Sequence, residues 1–306
     1  KLMSFVEKEF KNDDEINFKE ILFVLWGSKI LIAICIFCFA IGSVYYSLSI
    51  PNKFTSISLL KANDGAVSSG QSSSGLDFLG SLARVNISGP GSTKSNLAIA
   101  TLESRDFLRH ILTISDSLPY LTAVKEYNKQ SKKIEFNSEI YDEENKTWID
   151  PLKKPSFEKA YRAYGEILDT DITKSGFVEV SITHRSPQFA KDFLVLVIDE
   201  LNSLSRTRDL LESEASLEYL NRQLLETKQT DIRYSINELV KIELRRQMLA
   251  NVQMEYLLKP LDSAFVPELK SSPNRPRICI NGTLLGFLIG ILVTLIRHYG
   301  FRRNQT

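Results

Sequence analysis

Two stretches of this chain carry no ionisable acid or base: Ile30 to Ile50, between Lys29 and Pro51, and Ile278 to Ile296, between Arg277 and Arg297. At about 1.5 Å of rise per residue, each covers roughly 30 Å as a helix, the thickness of a bilayer's hydrocarbon core. Soluble cores rarely bury so long a run without one charge, so two transmembrane helices are expected, at 30–50 and 277–297. A cleaved signal peptide is not expected, because the tail 1–29 precedes the first run and no small-x-small cleavage site follows it. Tyr45 and Tyr46 stand where an interfacial aromatic belt would place them. The 38 basic and 37 acidic side chains, for a net charge of +1, are crowded into the remaining sequence. Near-neutrality argues against a nucleic-acid partner, and 43% hydrophobic residues argue against a disordered chain.

Two spans put both termini on one side and residues 51–276 on the other. Basic residues do not orient the pair: Lys19 and Lys29 oppose Lys53 and Lys61, and Arg297, Arg302 and Arg303 oppose Lys270, Arg275 and Arg277. The short tails, 1–29 and 298–306, are expected in the cytoplasm and the large domain outside it. All three cysteines, Cys35, Cys38 and Cys279, fall in the spans, where they read as small apolar fillers. The large domain thus relies on neither disulfides nor cysteine-ligated metal.

Within that domain, Phe54 to Leu60 alternates and is β-branched enough to predict a strand. Gly- and Ser-rich loops follow, from Asn63 to Gly75 and from Ser88 to Ser95. Helical spacing predicts one helix over Asn96 to Ile114 and another over Phe157 to Leu168. Asp142, Glu143 and Glu144 mark a turn. Two strands, Leu168 to Thr173 and Phe177 to Thr183, pair across Lys174-Ser175-Gly176, with Val178, Val180 and Ile182 on one face. Ser186-Pro187 is a helix start. From there to Leu258 no glycine and no further proline occurs, which would be on the order of 100 Å of helix if continuous. Leu194, Ile198 and Leu201, then Leu217, Leu220 and Leu224, then Ile232, Ile236 and Leu239 form its apolar stripes. Arg206, Arg208, Asp209, Glu212 and Glu214 read as solvated surface. So long an element predicts coiled-coil-like or intersubunit packing, and a weak point at Thr227 to Asp231 leaves a hairpin of two long helices open as the alternative. The domain therefore divides into a base, 51–186 and 259–276, and long helices, 187–258.

Pro260, Pro267, Pro273 and Pro276 break any helix and stiffen the approach to the second span. Inside that span Gly282, Gly286 and Gly290 recur every fourth residue, a ridge against which another helix can pack closely.

No phosphate-binding loop, Gly-x-Ser-x-Gly elbow or His-Glu-x-x-His pattern occurs. His110, His184 and His298 stand far apart and read as surface or interfacial residues. The Asn-x-Ser/Thr triplets at Asn86, Asn145, Asn281 and Asn304 are what chance provides. No catalytic residue, metal site or cofactor is expected, and an enzyme is the less favoured class.

Several motifs occur together in order: Phe18-Lys-Glu-Ile-Leu-Phe-Val-Leu-Trp26, Pro51-Asn-Lys-Phe54, Leu102-Glu-Ser-Arg-Asp-Phe107, Gly176-Phe-Val-Glu-Val-Ser-Ile-Thr-His-Arg-Ser-Pro187 with Ala190, Asp262-Ser-Ala-Phe-Val-Pro267, and Pro273-Asn-Arg-Pro276 leading into the three glycines. With two terminal spans, this series from Asn17 to Gly290 resembles the Wzz-type chain-length determinants, the polysaccharide co-polymerases of the bacterial inner membrane. The resemblance implies an α/β membrane protein, with two terminal transmembrane helices bracketing a periplasmic α/β base and long extended helices. It also implies a ring-shaped homo-oligomer that regulates the length of O-antigen or a related surface polysaccharide, partnered by a Wzy-type polymerase working on lipid-linked glycan. Related members carry a fused tyrosine kinase, and the short tail 298–306 places this chain with the kinase-free class. The competing expectation is a membrane adaptor of a capsule or exopolysaccharide export system with a separate kinase or transporter.

Overall fold

The computed structural model describes residues 25–63 and 93–303, with side chains described as far as residue 297. Most of the Gly- and Ser-rich loops, most of the Phe18–Trp26 motif, and Asn86 and Asn304 lie outside the described residues. The chain divides into two compact units, one formed by 1–51 with 273–306 and the other by 52–272.

The first unit contains helix α1, Lys29–Ser49, and the C-terminal helix α8, Arg275–Arg303. Both are long and apolar enough to cross a membrane. Their outward faces are apolar: Ile34, Phe37, Leu288 and Leu292 are all more than half exposed. Exposed side chains of this kind suit a helix surrounded by hydrocarbon.

The second unit is built on a four-stranded antiparallel sheet of order β6-β7-β1-β8. Strand β1, Phe54–Ala62, pairs with β7, Val178–His184, from Phe54↔His184 to Leu60↔Val178. Strand β6, Leu168–Ile172, lies outside β7. Gly176 sits in the turn between them at a φ of 81°, where a side chain would be strained. On the other edge of β1 runs β8, Leu258–Asp262, with an irregularity in register between Leu59 and Leu60. Pro260 thus lies in an edge strand, a place where a missing N–H is tolerated.

Between β1 and β6 come α2, Thr93–Leu102, α3, Arg105–Ile114, and the short α4, Leu118–Thr122. The single helix expected over Asn96 to Ile114 is two helices. The chain turns at Glu103 and Ser104, and the Ser104 hydroxyl accepts the Phe107 N–H at 3.1 Å to start α3. Two small hairpins follow, β2, Val124–Asn128, with β3, Lys133–Phe136, and β4, Tyr141–Asp142, with β5, Thr147–Trp148. Asp142 closes the second turn by accepting the Glu144 N–H at 3.0 Å. Helix α5, Phe157–Ile167, then begins at the capping Ser156.

Helix α6, Pro187–Glu226, starts where the Ser186 hydroxyl accepts the Phe189 N–H at 3.3 Å and Pro187 fills the first turn. Its base-proximal half carries the core stripe Ala190, Phe193, Leu194, Val197, Ile198 and Leu201, all buried. This stripe joins Phe107, Leu108 and Ile111 of α3, Tyr164 of α5, and Val178, Val180 and Ile182 of β7 in one core. Helix α7, Thr230–Val252, returns along α6. The helical sequence does not reach Leu258: α7 stops at Val252, and Leu258 opens β8.

Candidate functional site

In the first unit the glycine ridge faces α1. A Cβ on Gly286 would stand 2.7 Å from the Cβ of Phe39 and 3.2 Å from the carbonyl oxygen of Cys35. One on Gly290 would stand 3.2 Å from the Cα of Ile32, and one on Gly282 would collide with Ser43. Partners descend along α1 as the glycines ascend along α8, so the helices run antiparallel with their backbones in direct approach. At Gly282 and Gly286 a side chain would force the neighbouring residues to shift, and at Gly290 it would make a tight contact. The three thiols are unpaired, and among the described residues no cluster of three potential metal ligands occurs.

In the second unit, the proline segment is laid against β1 and held by its hydroxyls. Ser58 donates to the Asp262 carbonyl and Ser56 to the Phe265 carbonyl, each at 2.7 Å. Both serines are buried among apolar side chains, and these bonds satisfy them. Nearer the start of β1, the Lys53 N–H donates to the Ser272 carbonyl at 2.8 Å and the Ser271 N–H to the Lys53 carbonyl at 2.9 Å. Thr55 bridges the hydroxyls of Ser271, at 2.7 Å, and Thr183, at 2.8 Å. The two points where the chain enters and leaves this unit are thereby clasped together. Pro267 is buried and so is Pro273, whereas Pro276 is exposed.

The hairpin of α6 and α7 is tied by a polar spine along α6. Asn202, 4% exposed, accepts the N–H groups of Leu257 and Leu258 at 2.8 and 2.9 Å and donates to the Leu258 carbonyl at 2.9 Å. Two turns further, Asp209 accepts from Arg246 at 2.9 Å and from the Tyr256 hydroxyl at 2.6 Å. Ser213, fully buried, donates to the carbonyl of Glu243 at 3.0 Å. Asp209, expected on a solvated face, is therefore at the centre of the hairpin base. Burial and the bond to Asp209 push the Tyr256 hydroxyl up to about 12, so it remains a donor. At the far end Arg233 of α7 donates to the carbonyls of Leu224, at 2.7 Å, and Thr227, at 3.2 Å, satisfying the open C-terminus of α6. The weak point is thus a three-residue loop, 227–229, and the hairpin alternative is the one realised.

The apolar stripes of the hairpin are only partly used within one chain. Ile236 is buried, and Leu217, Leu220 and Leu224 are half-buried. Ile232 and Leu239 remain 46% and 40% exposed, with Tyr234 at 69% and Ile242 at 56% beside them.

His184, expected near the surface, is buried at 6% exposure. Its Nδ1 accepts the Ser186 N–H at 3.1 Å, so Nε2 carries the proton and donates to the Tyr120 carbonyl at 3.0 Å. Burial pulls its pKa down to about 4. Neighbouring Arg185 donates to the Val124 carbonyl at 2.7 Å and also to that of Lys125. His110 lies 3.0 Å from Glu200.

Residues 14–113 match the family model described as Wzz, chain length determinant protein. The chain is similar to the chain length determinants. The match takes in the first span, β1, α2 and α3, including the Leu102–Phe107 motif at the α2–α3 break. A solved structure titled full-length bacterial polysaccharide co-polymerase aligns over 95% of this chain and 100% of its own, at 13% identity and a TM-score of 0.40. No curated protein matches the sequence. As in the reading from sequence, the chain is a mixed α/β protein with long helices and an apolar helix toward each end.

Asn202, Arg246, Tyr256 and the hydroxyls of β1 escaped the reading from sequence. A polar residue inside a helical pattern looks like surface until its partner, 34 or more positions away, is placed. The available signal was that Asn202 falls at helical spacing on the same face as Leu194 and Ile198.

Proposed function

We propose that this protein sets the chain length of a bacterial surface polysaccharide, O-antigen or a related polymer, as an oligomeric co-polymerase of the inner membrane. The match of residues 14–113 to the chain length determinant family carries the reading. In it, α1 and α8 span the membrane, residues 51–276 form the periplasmic domain, and copies assemble as a ring beside a Wzy-type polymerase that extends lipid-linked glycan. The partly exposed stripe at Ile232, Leu239 and Ile242 supports self-association, because it gives neighbouring copies apolar surface to bury. Membrane packing along Gly282, Gly286 and Gly290 and the clasped proline segment, Pro267, Pro273 and Pro276, link that assembly to the bilayer. The protein acts here as a regulator without catalysing transfer.

Deletion of the gene, followed by gel analysis of surface polysaccharide, tests this. Loss of a modal band with polymer retained is expected. Total loss of polymer would indicate an export adaptor, and an unchanged ladder would refute both.

A further inference from the structure

The paired helices of the first unit carry cations and no carboxylate of their own. No acidic residue occurs from Ile21 to Asn63 or from Leu269 to Thr306. Lys29 and Arg297 lie at one end of the antiparallel pair, and among the described residues no carboxylate pairs with Arg297. At this end lies a cleft of about 720 Å³, lined by Gly27, Ser28, Ile34, Val293, Thr294 and Arg297.

The cleft has the chemistry of an amphipathic ligand. Its walls at Ile34 and Val293 are apolar, and its polar rim is cationic, with a guanidinium shaped for two oxygens of a phosphate. Its volume falls in the range of small-ligand sites. The Thr294 hydroxyl is already committed to the Gly290 carbonyl at 2.8 Å, and Arg297 is the charged group in the lining that can hold the ligand's head. We propose that the cleft binds an anionic phospholipid, with its phosphate on Arg297 and its acyl chains along Ile34 and Val293. Charge complementarity selects the occupant, since the counter-charge this pair lacks is abundant in a bilayer. The inference rests on the pair being embedded in a membrane.

The test uses full-length protein extracted from membranes into mild detergent and exchanged into phosphatidylglycerol or phosphatidylcholine, with retained lipid read by native mass spectrometry. Preferential retention of phosphatidylglycerol is expected. Arg297→Gln should lower it about fivefold, as loss of one juxtamembrane cation implies, and Arg297→Lys should restore part of it. Val293→Trp, which fills the cleft and keeps the charge, should lower it too, and Arg277→Gln at the opposite end should leave it unchanged. Equal loss in Arg277→Gln and Arg297→Gln, full retention in Val293→Trp, displacement by inorganic phosphate, or a second polypeptide retained in place of lipid would each overturn the proposal. Release of the protein by alkaline carbonate without detergent would instead refute the membrane reading itself.

Discussion

Asn202 does with one side chain what a neighbouring strand would do: it pairs with the backbone of Leu257 and Leu258 where the chain re-enters the sheet. Asn202→Ala leaves two buried N–H groups and a carbonyl unsatisfied, so a loss of about 3 kcal/mol is expected, read by urea unfolding of the detergent-solubilised protein. His184 makes stability pH-dependent. Its folded pKa of about 4 lies below the ordinary 6.5, so between these values the unfolded chain binds the extra proton. The contribution is therefore complete above pH 6.5 and is lost as the pH falls toward 4, by on the order of 3 kcal/mol in all. Protonation also removes the acceptor of the Ser186 N–H, at the start of α6. Unfolding midpoints across this window should fall with acid in the parent protein and vary less in His184→Phe. These residues show why pattern alone does not place a buried asparagine or histidine: each is polar by type and buried by partners, Leu257 and Leu258 for Asn202 and Tyr120 for His184, that lie far away in sequence.

The elements were legible where their cause is local. The uncharged runs, the Ser186-Pro187 start, the Gly176 turn and the alternation of β1 and β7 each depend on neighbours a few residues apart. The end of α7 at Val252 and strand β8 did not show, because they are decided by packing against α6 and β1, whereas the break at Glu103 and Ser104 has a local signal, the Ser104 cap, which helical spacing alone passes over. The hairpin illustrates both cases. Its loop at 227–229 contains neither glycine nor proline, and it is held by Arg233 reaching back to α6. Arg246→Met should strip Asp209 of its cation and loosen the α6–α7 pairing by about 1–3 kcal/mol, seen as faster amide exchange in α7 with the sheet still protected. Tyr256→Phe removes one bond of the same node, and a smaller change in the same segment is expected. For the spans, replacing Gly286 and Gly290 together with leucine places bulk where less than 3.5 Å is free and should separate α1 from α8. An unchanged glycan length distribution in the producing cell would exclude span packing from length control.

For the whole molecule, the issue is what one copy leaves unburied. Ile232→Glu with Leu239→Glu, at positions already 46% and 40% exposed, should leave the monomer fold intact and weaken self-association, measured as a shift of native mass toward smaller assemblies. A shortened or broadened glycan distribution in the same strain would tie assembly to length control. By itself the sequence determined the number and place of the apolar helices, the mixed α/β class, the helix-rich segment after Ser186 and the absence of recognised catalytic motifs, since charge content and periodicity act over short distances along the chain. Only the tertiary structure decided that the long helix folds back on itself, that the proline segment is clasped to β1, and that the glycine ridge meets the first span of the same chain. Those outcomes depend on hydrogen bonds and close contacts between residues that sequence separates and folding brings together. The same holds for the net charge of +1: its balance conceals a helix pair without one carboxylate of its own, with Arg297 beside a cleft at one end.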